Sequence, residues 1–353
     1  MTSPKGTGER FMRILLVSTG GTIGSSAREI MDTDRGKARI LPRLLPEAGI
    51  EAAGKITFEF LEPFSVLSEN MTPDRLMMLL RTLGRVDFSA YDGVILTHGS
   101  DTLSYTAAFV GLLFGRVECP VVLVAADRPL EDPAGNGPDN FAGAVALIAS
   151  GRVRSGAFVV YRSRTVTEVF LATRVLEADG LHGVFAPFGD APFGRVEGGR
   201  FLPQEAPELP PLLDFSAAGR SDAQLEPSFS RPVWMLKGYP GLMYTMFDLS
   251  RPPAAVLYLG YHSGTACTEG EDTSFLVFVN RLRERRVPVY FLPARAAGER
   301  IYASTAAMLS AGCRPLCGIS PEAAYAKLCI GYNCFSQQAE AYLFRNVFYE
   351  YLD

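Results

Sequence analysis

Hydroxyl-bearing residues cluster in two glycine-rich segments of this sequence, STGGTIG at residues 18–24 and THGSDT at residues 97–102. The hydroxyls belong to Thr19, Thr22, Ser100 and Thr102. Asp101 adds a carboxylate to the second segment. A serine or threonine oxygen becomes a nucleophile when a base or a hydrogen-bonded relay takes its proton, and backbone N–H groups in a glycine turn can stabilise the resulting oxyanion. The two segments together therefore predict nucleophilic catalysis.

The first segment has two other interpretations. Its glycines, Gly20, Gly21 and Gly24, are spaced GGxxG rather than GxGxxG, and no Walker lysine follows them, so the pattern is a poor match to a phosphate-binding loop. Glycines after a strand also commonly make a tight turn and nothing more. That simpler role leaves the clustered hydroxyls unexplained, which is why the catalytic hypothesis is preferred.

Both segments follow an apolar run, and ligands of open α/β sheets bind at the carboxyl ends of the strands. Through the first half of the chain, short apolar runs alternate with longer mixed segments, a pattern typical of a mostly parallel sheet with helices on both faces. The predicted strands are RILLVST, TFEFLEP, DGVILTHG, PVVLVAA and GAFVVYR. One helix is predicted after the N-cap Thr72 and Pro73, and another through DTLSYTAAFVGLLFG, ending at Gly115.

The length of the chain and a change in its composition predict two domains. A chain of 353 residues is long for one domain and short for three. A segment rich in Pro, Ser and acidic residues without periodicity predicts a linker over residues 201–230. It would join an N-terminal α/β catalytic domain over residues 12–200 to a smaller C-terminal α/β domain over residues 231–353.

Composition and charge argue against several classes of partner. The formal net charge of -4 provides no basic field for a nucleic acid, and no apolar run approaches the length that crosses a bilayer. The polar start MTSPKGTGERF lacks a secretory signal, so a cytoplasmic protein with a frayed N-terminus and reduced cysteines is expected. The six cysteines lack the spacing of zinc sites, and no metal is predicted.

TGGTI followed by HGSDT, in this order and spacing, resembles the two signature segments of the bacterial-type L-asparaginase family. SENMTP and DRPLEDPAGNGPDNFAGAVAL resemble further family segments, and ATRVLEADGLHGVFAP, YPG, AVLYLGYHSGT and AAYAKL extend the resemblance over nearly the whole chain. The missing secretory signal fits the cytoplasmic type I branch. The resemblance implies the two-domain L-asparaginase-like fold. It also implies hydrolysis of L-asparagine or a related small amide to the acid and ammonia, without a metal or organic cofactor.

The same resemblance implies a role for individual residues. Thr22 takes the place of the primary nucleophile, and the backbone N–H groups of Gly21 and Ser100 would face the oxyanion. Ser100, Asp101 and Arg174 take the places of a second triad that activates water or relays protons, and Asp101 would also hold the substrate's α-ammonium group. The substrate-binding positions are Gly21, Ser68 for the α-carboxylate, Glu69, Gly99, Ala126 for the leaving amide through its carbonyl, and Thr265 in the second domain.

Two departures from the family pattern concern the activation of the nucleophile. Arg174 stands in place of the relay lysine, and an arginine can orient a partner but cannot shuttle a proton. The loop GSSAREIMDTDRGKARI at residues 24–40 contains no tyrosine, although the family has one there that closes on the first threonine. A third departure, Ser100 for threonine, keeps the hydroxyl.

Two more departures concern substrate choice and assembly. Glu69 stands where the family has Gln or Ser, and its charge would favour a cationic group or repel an extra carboxylate. Thr265 stands where the family sends an asparagine into the neighbouring subunit's site, so a homodimer or homotetramer is expected. A catalytically weak or inactive amino-acid-binding member of the family and an amidase of shifted specificity stay open as alternatives. His98 is predicted to be a structural turn residue.

Overall fold

The computed structural model describes residues 11–24, 41–42, 56–226, 228–294, 298 and 300–352. The predicted frayed N-terminus lies outside the described residues, and so does most of the loop at 24–40 that lacks a tyrosine. Contacts between residues divide the chain into two compact units, Met1–Glu226 and Pro227–Asp353.

The first unit is built on an eight-stranded sheet in the order β2-β1-β3-β4-β5-β6-β7-β8. Its strands are β1 (Met12–Ser18), β2 (Ile56–Leu61), β3 (Gly93–Thr97), β4 (Val121–Val124), β5 (Ala157–Ser163), β6 (Val166–Leu171), β7 (Gly194–Glu197) and β8 (Arg200–Pro203). Neighbouring strands from β2 to β5 are parallel, and those from β5 to β8 are antiparallel. The predicted α/β class and the strands predicted from the apolar runs are confirmed.

Burial explains why these runs become central strands. Every residue of β3 and β4 is buried, which is typical of parallel strands that are covered on both faces. The described helices of this unit are α1 (Pro73–Leu83), α2 (Leu103–Phe114) and α3 (Gly137–Ala149). Thr72 is the predicted N-cap of α1, since its side chain accepts a hydrogen bond from the N–H of Arg75 at 3.4 Å.

The hairpin between β7 and β8 overlaps the start of the predicted linker. Gly198 and Gly199 have φ angles of 53° and 71°, the left-handed conformation that two-residue hairpin turns require. The linker predicted over residues 201–230 therefore begins inside β8, and the boundary between the compact units falls after Glu226. The bounds of the predicted domains stay a prediction.

The second unit contains a smaller parallel sheet in the order β12-β11-β10-β9. Its strands are β9 (Val233–Lys237), β10 (Ala255–Leu259), β11 (Val289–Leu292) and β12 (Arg314–Pro315), and its described helices are α4 (Phe275–Glu284), α5 (Ala303–Ser310), α6 (Pro321–Cys334) and α7 (Ala339–Phe344). Its core is rich in aromatic rings, with Tyr244, Tyr258, Phe275 and Phe278 packed in one buried cluster. This is the smaller α/β sheet expected from the sequence.

The described residues also bear on metal binding and on membrane insertion. Within the described residues, no group of three or more His, Cys, Asp and Glu side chains is placed to hold a metal ion. None of the described helices combines the length and the apolar character needed to cross a bilayer. The cysteines are free thiols, of which Cys119, Cys313 and Cys329 are buried.

Candidate active site

The candidate site lies at the carboxyl ends of β1, β3 and β4, which are adjacent parallel strands. Residues 19–22 follow β1, residues 98–101 follow β3, and residues 125–127 follow β4. Because the carboxyl ends of parallel strands share one edge of the sheet, the three segments meet there. Both glycine-rich segments of the sequence therefore reach the same place.

The turn after β1 is tied to the loop that follows β2. Gly20 and Gly21 have φ angles of 96° and 74°, which strongly favour glycine. The N–H of Gly21 donates to the carbonyl of Val66 at 2.7 Å, and the N–H of Val66 donates to the carbonyl of Thr19 at 3.0 Å. The N–H of Gly21, predicted above as an oxyanion donor, is thus already donated to Val66. The predicted role of the Gly21 N–H as an oxyanion donor does not fit the structure, and the geometry indicates that Gly21 forms a tight turn.

The two glycine turns are in direct backbone contact. A Cβ placed on Gly21 would lie 2.4 Å from the backbone nitrogen of Gly99 and 2.5 Å from its Cα, closer than real Cβ atoms come to backbone. Position 21 is therefore glycine because the turn after β3 occupies the space of a side chain there. This contact brings together the two segments that carry Thr22 and Ser100.

Hydrogen bonds give two of the four hydroxyls of the two turns a structural role. Thr19 donates its hydroxyl to the carbonyl of Thr97 at 2.9 Å, and Thr102 donates its hydroxyl to the carbonyl of Ser68 at 3.0 Å. These two side chains therefore hold backbone in place. Thr22 and Ser100, both half-buried, are the remaining candidates for chemistry.

Ser100 opens a helical turn, Ser100–Thr102, that runs directly into α2. The first N–H groups of a helical segment have no partner within it and point along the axis, and a helix N-terminus favours negative charge. The N–H of Ser100, predicted above as an oxyanion donor, is the first N–H of this turn.

Ser68 and Asp101 are joined across the site. The hydroxyl of Ser68 accepts from the N–H of Asp101 at 3.2 Å and lies 3.4 Å from its carboxylate oxygen Oδ2. A Cβ on Gly99 would lie 2.4 Å from the Ser68 hydroxyl, so Ser68 packs directly on the turn after β3. Ser68 is buried and Asp101 is exposed, so the pair presents a hydroxyl and a reachable carboxylate side by side. This arrangement suits the carboxylate and ammonium groups of an amino acid.

His98 has the structural role predicted for it. Its Nδ1 lies 2.8 Å from the carbonyl of Gly99 and its Nε2 lies 3.0 Å from the hydroxyl of Thr106, which assigns the proton to Nδ1 and the accepting role to Nε2. Burial lowers the pKa of His98 to about 4, and the charge of Asp101 opposes that shift only in part. A neutral His98 therefore fastens the turn after β3 to α2.

Two buried asparagines beside Ala126 are site-supporting residues that the sequence analysis did not identify. Asn136 accepts from the N–H of Asp127 at 2.9 Å, and Asn140 donates to the carbonyl of Ala125 at 2.9 Å. Both lie in the segment GNGPDN, where asparagines stand between a glycine turn and an apolar helix. Polar residues at that junction, in a segment already matched to the family, were the available signal.

Three predicted site residues are not joined to this cluster by the hydrogen bonds above. Arg174 is buried and donates from Nη1 to the carbonyl of Glu208 at 2.5 Å, while the turn that carries it packs against α2. Glu69 is exposed next to Ser68. Thr265 lies in the second unit, where its hydroxyl is 3.3 Å from that of Ser263. The roles assigned to these residues stay predictions.

A family model described as "Asparaginase, N-terminal" matches residues 13–203, more than half of the chain. The chain belongs to the asparaginase family. The matched region contains the three strand ends and both glycine turns of the candidate site. The resemblance seen in TGGTI and HGSDT is thereby confirmed at the level of the family, and amidohydrolase chemistry is its general activity.

Proteins similar to this chain include glutamyl-tRNA(Gln) amidotransferase subunits and an L-asparaginase. A glutamyl-tRNA(Gln) amidotransferase subunit from Aeropyrum pernix is 27% identical over 333 residues, covering 90% of this chain and 73% of that protein. The corresponding protein from Metallosphaera sedula is 30% identical over 250 residues, 67% of this chain and 53% of that protein, so the chain spans about half of its length. The L-asparaginase of Thermococcus kodakarensis is 25% identical over 258 residues, 72% of each chain.

Solved structures confirm the L-asparaginase-like fold. The thermostable L-asparaginase from Thermococcus kodakarensis is similar with a TM-score of 0.76 at 23% identity, covering 97% of this chain and 100% of that one. L-asparaginase I from Vibrio cholerae gives a TM-score of 0.74 at 19% identity, covering 98% and 100%. At these identities the likeness concerns the fold alone.

Proposed function

We propose that this asparaginase-family chain hydrolyses L-asparagine, or a related small amide of an amino acid, to the acid and ammonia through Thr22. The observation that carries the proposal is the backbone contact between Gly21 and Gly99, because it brings the segments that carry Thr22 and Ser100 together at the carboxyl ends of β1 and β3. A nucleophile, an oxyanion donor and an amino-acid-binding pair then share one edge of the sheet.

The proposed reaction has two halves. The Thr22 oxygen bonds to the side-chain carbonyl carbon of the substrate, and the developing oxyanion accepts from the Ser100 N–H at the N-terminal end of α2. The proton of the hydroxyl passes to the amide nitrogen, the C–N bond breaks, and ammonia leaves an acyl ester on Thr22. Water then adds to the ester carbon with the Ser100 hydroxyl and Asp101 positioning it, and the acid and free Thr22 are regenerated. Arg174 would act on this second group only through α2, against which its turn packs.

The substrate class follows from Ser68 and Asp101. An α-carboxylate would accept from the Ser68 hydroxyl, and the exposed Asp101 carboxylate would pair with the α-ammonium. Both groups are present in asparagine and glutamine, and Glu69 beside them disfavours a further carboxylate on the substrate. This set of contacts favours a free amino acid amide.

Assembly and location are proposed from the same relatives. Thr265 would complete the site of a neighbouring copy, which requires a homodimer or homotetramer. A cytoplasmic location is proposed as well, since a structure of similar fold is a probable cytoplasmic L-asparaginase from Campylobacter jejuni, with a TM-score of 0.69.

A second candidate function is favoured by the amidotransferase relatives. Two of them reach 27% and 30% identity with this chain, compared with 25% for the L-asparaginase relative. The chain would then release ammonia as one subunit of a larger enzyme. A binding protein with negligible turnover is the remaining alternative. It stays open because Arg174 stands in place of the relay lysine and the loop at residues 24–40 contains no tyrosine.

Ammonia release separates these functions. Wild type and Thr22→Ala are compared on L-asparagine, L-glutamine and larger amides, with ligand binding followed by the shift in melting temperature. The proposal expects release by the wild type alone, with asparagine or glutamine the best substrate. Release of ammonia from glutamine only when a partner protein is present, with little release from free asparagine, supports the amidotransferase alternative. Equal inertness of both proteins, with melting still raised by asparagine or aspartate, overturns the enzyme.

A further inference from the structure

We infer that Asn136 is a positioning residue that aims the Ala126 carbonyl at the leaving amide and thereby makes the enzyme favour amides over esters. The inference rests on the proposed function and adds a source of leaving-group specificity to it. It begins from burial: Asn136 is 2% exposed and Asn140 is 0% exposed. Buried amides persist when their hydrogen bonds are satisfied, and here the partners are backbone groups beside Ala126.

The strand β4 separates from β5 at the point where these asparagines lie. The last paired residues are Val124 and Val160, and β5 continues to Ser163 without β4. The backbone of Arg162 would pair next with the region of Ala126. Instead, the N–H of Arg162 donates to Oδ1 of Asn140 at 2.5 Å, and its carbonyl accepts from Nδ2 of Asn136 at 3.1 Å. The two side chains replace the missing strand, so Ala126 can turn away without stranding buried backbone groups.

Asn136 then fixes the orientation of one peptide plane. The N–H of Asp127 donates to Oδ1 of Asn136 at 2.9 Å, and the N–H of Asn136 donates to Oδ1 of Asp127 at 2.8 Å. The N–H of Asp127 and the carbonyl of Ala126 belong to the same planar trans peptide, in which they point in opposite directions. Because the N–H is fixed on Asn136, the Ala126 carbonyl is aimed away from it.

Packing places Ala126 against the turn that carries Thr22. A Cβ on Gly137 would lie 3.0 Å from the Cβ of Ala126 and 3.5 Å from Cγ1 of Ile23, the residue after Thr22. Gly137 thus lies between Ala126 and the turn that carries Thr22, within side-chain contact distance of both. A carbonyl with a fixed direction at this position is suited to accept an N–H from the group leaving the carbon that Thr22 attacks.

The chemical consequence is selective. The amide nitrogen carries N–H groups throughout the collapse of the tetrahedral intermediate and can donate to a carbonyl. The oxygen of a methyl ester has no hydrogen to donate until methanol forms. A well-aimed Ala126 carbonyl therefore accelerates amide hydrolysis more than ester hydrolysis, and loss of the aim removes that difference.

The test compares L-asparagine with the β-methyl ester of L-aspartate, using kcat/KM for each. Asn136→Ala should lower the amide-to-ester ratio about tenfold or more, as expected for the loss of about one hydrogen bond in the transition state. Asn136→Asp keeps an acceptor for the Asp127 N–H and should keep the ratio near the wild-type value. Gly137→Ala leaves both asparagines in place but crowds Ala126, and should lower the ratio several-fold even if Asn136→Ala does not fold.

Asn140→Ala is the matched control, because Asn140 is equally buried and bridges the same strands but bonds the carbonyl of Ala125. It should lower stability and leave the ratio unchanged. An equal loss on both substrates in Asn136→Ala overturns the positioning role while leaving the proposed function intact. A ratio that falls as far in Asn136→Asp or Asn140→Ala overturns it too. Wild-type protein inert on both substrates overturns the proposed function itself.

Discussion

Two polar clusters, one in each unit, differ in how deeply their side chains are buried. In the second unit, Lys327 and Glu350 are fully buried and form an ion pair. The ammonium also donates to the carbonyl of Arg345 at 2.5 Å, and the carboxylate accepts from the N–H groups of Val347 and Phe348. In the first unit, Thr22 and Ser100 are half-buried and Asp101 is exposed.

The two clusters differ in whether a solute can reach their polar groups. Lys327 lies in α6, so its pair with Glu350 fastens the segment around Glu350 to that helix, and both side chains are closed off from solvent. In the first unit, the hydroxyls of Thr19 and Thr102 donate to backbone carbonyls. The carboxylate of Asp101 is exposed there and can be reached by a solute. We therefore attribute stability to the cluster in the second unit and propose catalysis for the cluster in the first.

The largest expected effect is on the nucleophile. Thr22→Val keeps the shape of the side chain and removes the hydroxyl, so kcat should fall by about a thousandfold or more, while the free energy of unfolding changes by less than about 1 kcal/mol. Thr22→Ser keeps the oxygen and should retain activity within about tenfold. Steady-state ammonia release and urea unfolding measure the two quantities. Substantial turnover by Thr22→Val would remove Thr22 from the reaction.

Breaking the buried pair should produce the opposite profile. Lys327→Met leaves Glu350 buried without its ammonium, and removal of one partner of a buried ion pair costs about 3–5 kcal/mol of unfolding free energy. The kcat of the molecules that remain folded should stay near the wild-type value. Urea unfolding of this variant and of Lys327→Met combined with Glu350→Gln provides the check, since the second change removes the stranded charge and should restore part of the loss. Unchanged stability in Lys327→Met would contradict the assignment.

The pH dependence of stability should reveal one group in the first cluster that behaves as structure. The pKa of His98 is about 4 in the folded chain and 6.5 in the unfolded chain, so unfolding takes up a proton between these values. Its contribution is complete above pH 6.5 and is lost as the pH falls through 4, a total of about 3 kcal/mol. Urea unfolding at pH 7 and pH 4.5 should show a steeper loss for wild type than for His98→Gln. Parallel losses would show that His98 is not held neutral.

The smallest expected effect is on substrate choice. Glu69→Gln removes an exposed charge beside Ser68, so KM for amides carrying a further carboxylate should fall a few-fold, while KM for asparagine changes little. Competition assays with asparagine and a β-aspartyl dipeptide, whose second residue carries the further carboxylate, report the ratio. A change in kcat of more than about tenfold would place Glu69 in the reaction rather than in substrate selection.

Much of the fold is predictable because apolar runs are a local signal. Continuous hydrophobic residues predict the buried strands β1, β3 and β4, and the cap Thr72 predicts α1. Strands β6 to β8 are not predicted, because they are short and mixed in composition and their pairing depends on contacts distant in sequence. The pair Gly198 and Gly199 is a hairpin signal in the sequence. The segment that follows is rich in Pro and Ser and predicts a linker, so the hairpin is not predicted.

The candidate site is predictable in its residue types and less so in its bonds. The motifs locate Thr22, Ser100 and Asp101, since hydroxyls and glycines at strand ends have a recognisable spacing. The bond from the Gly21 N–H to Val66 could not be anticipated, because it joins two loops that only the sheet order brings together. The same holds for Asn136, whose partner Asp127 is identified from the path of the backbone and not from the segment GNGPDN.

The most direct test of the account is the identity of the acylated residue. Wild-type protein turning over the β-methyl ester of L-aspartate is quenched in acid, digested and mapped by mass spectrometry. The account predicts an acyl adduct on the peptide that carries Thr22, at Thr22 itself, and its absence in Thr22→Val. Turnover with the adduct on Ser100 or on another residue, or turnover undiminished in Thr22→Val, would contradict it.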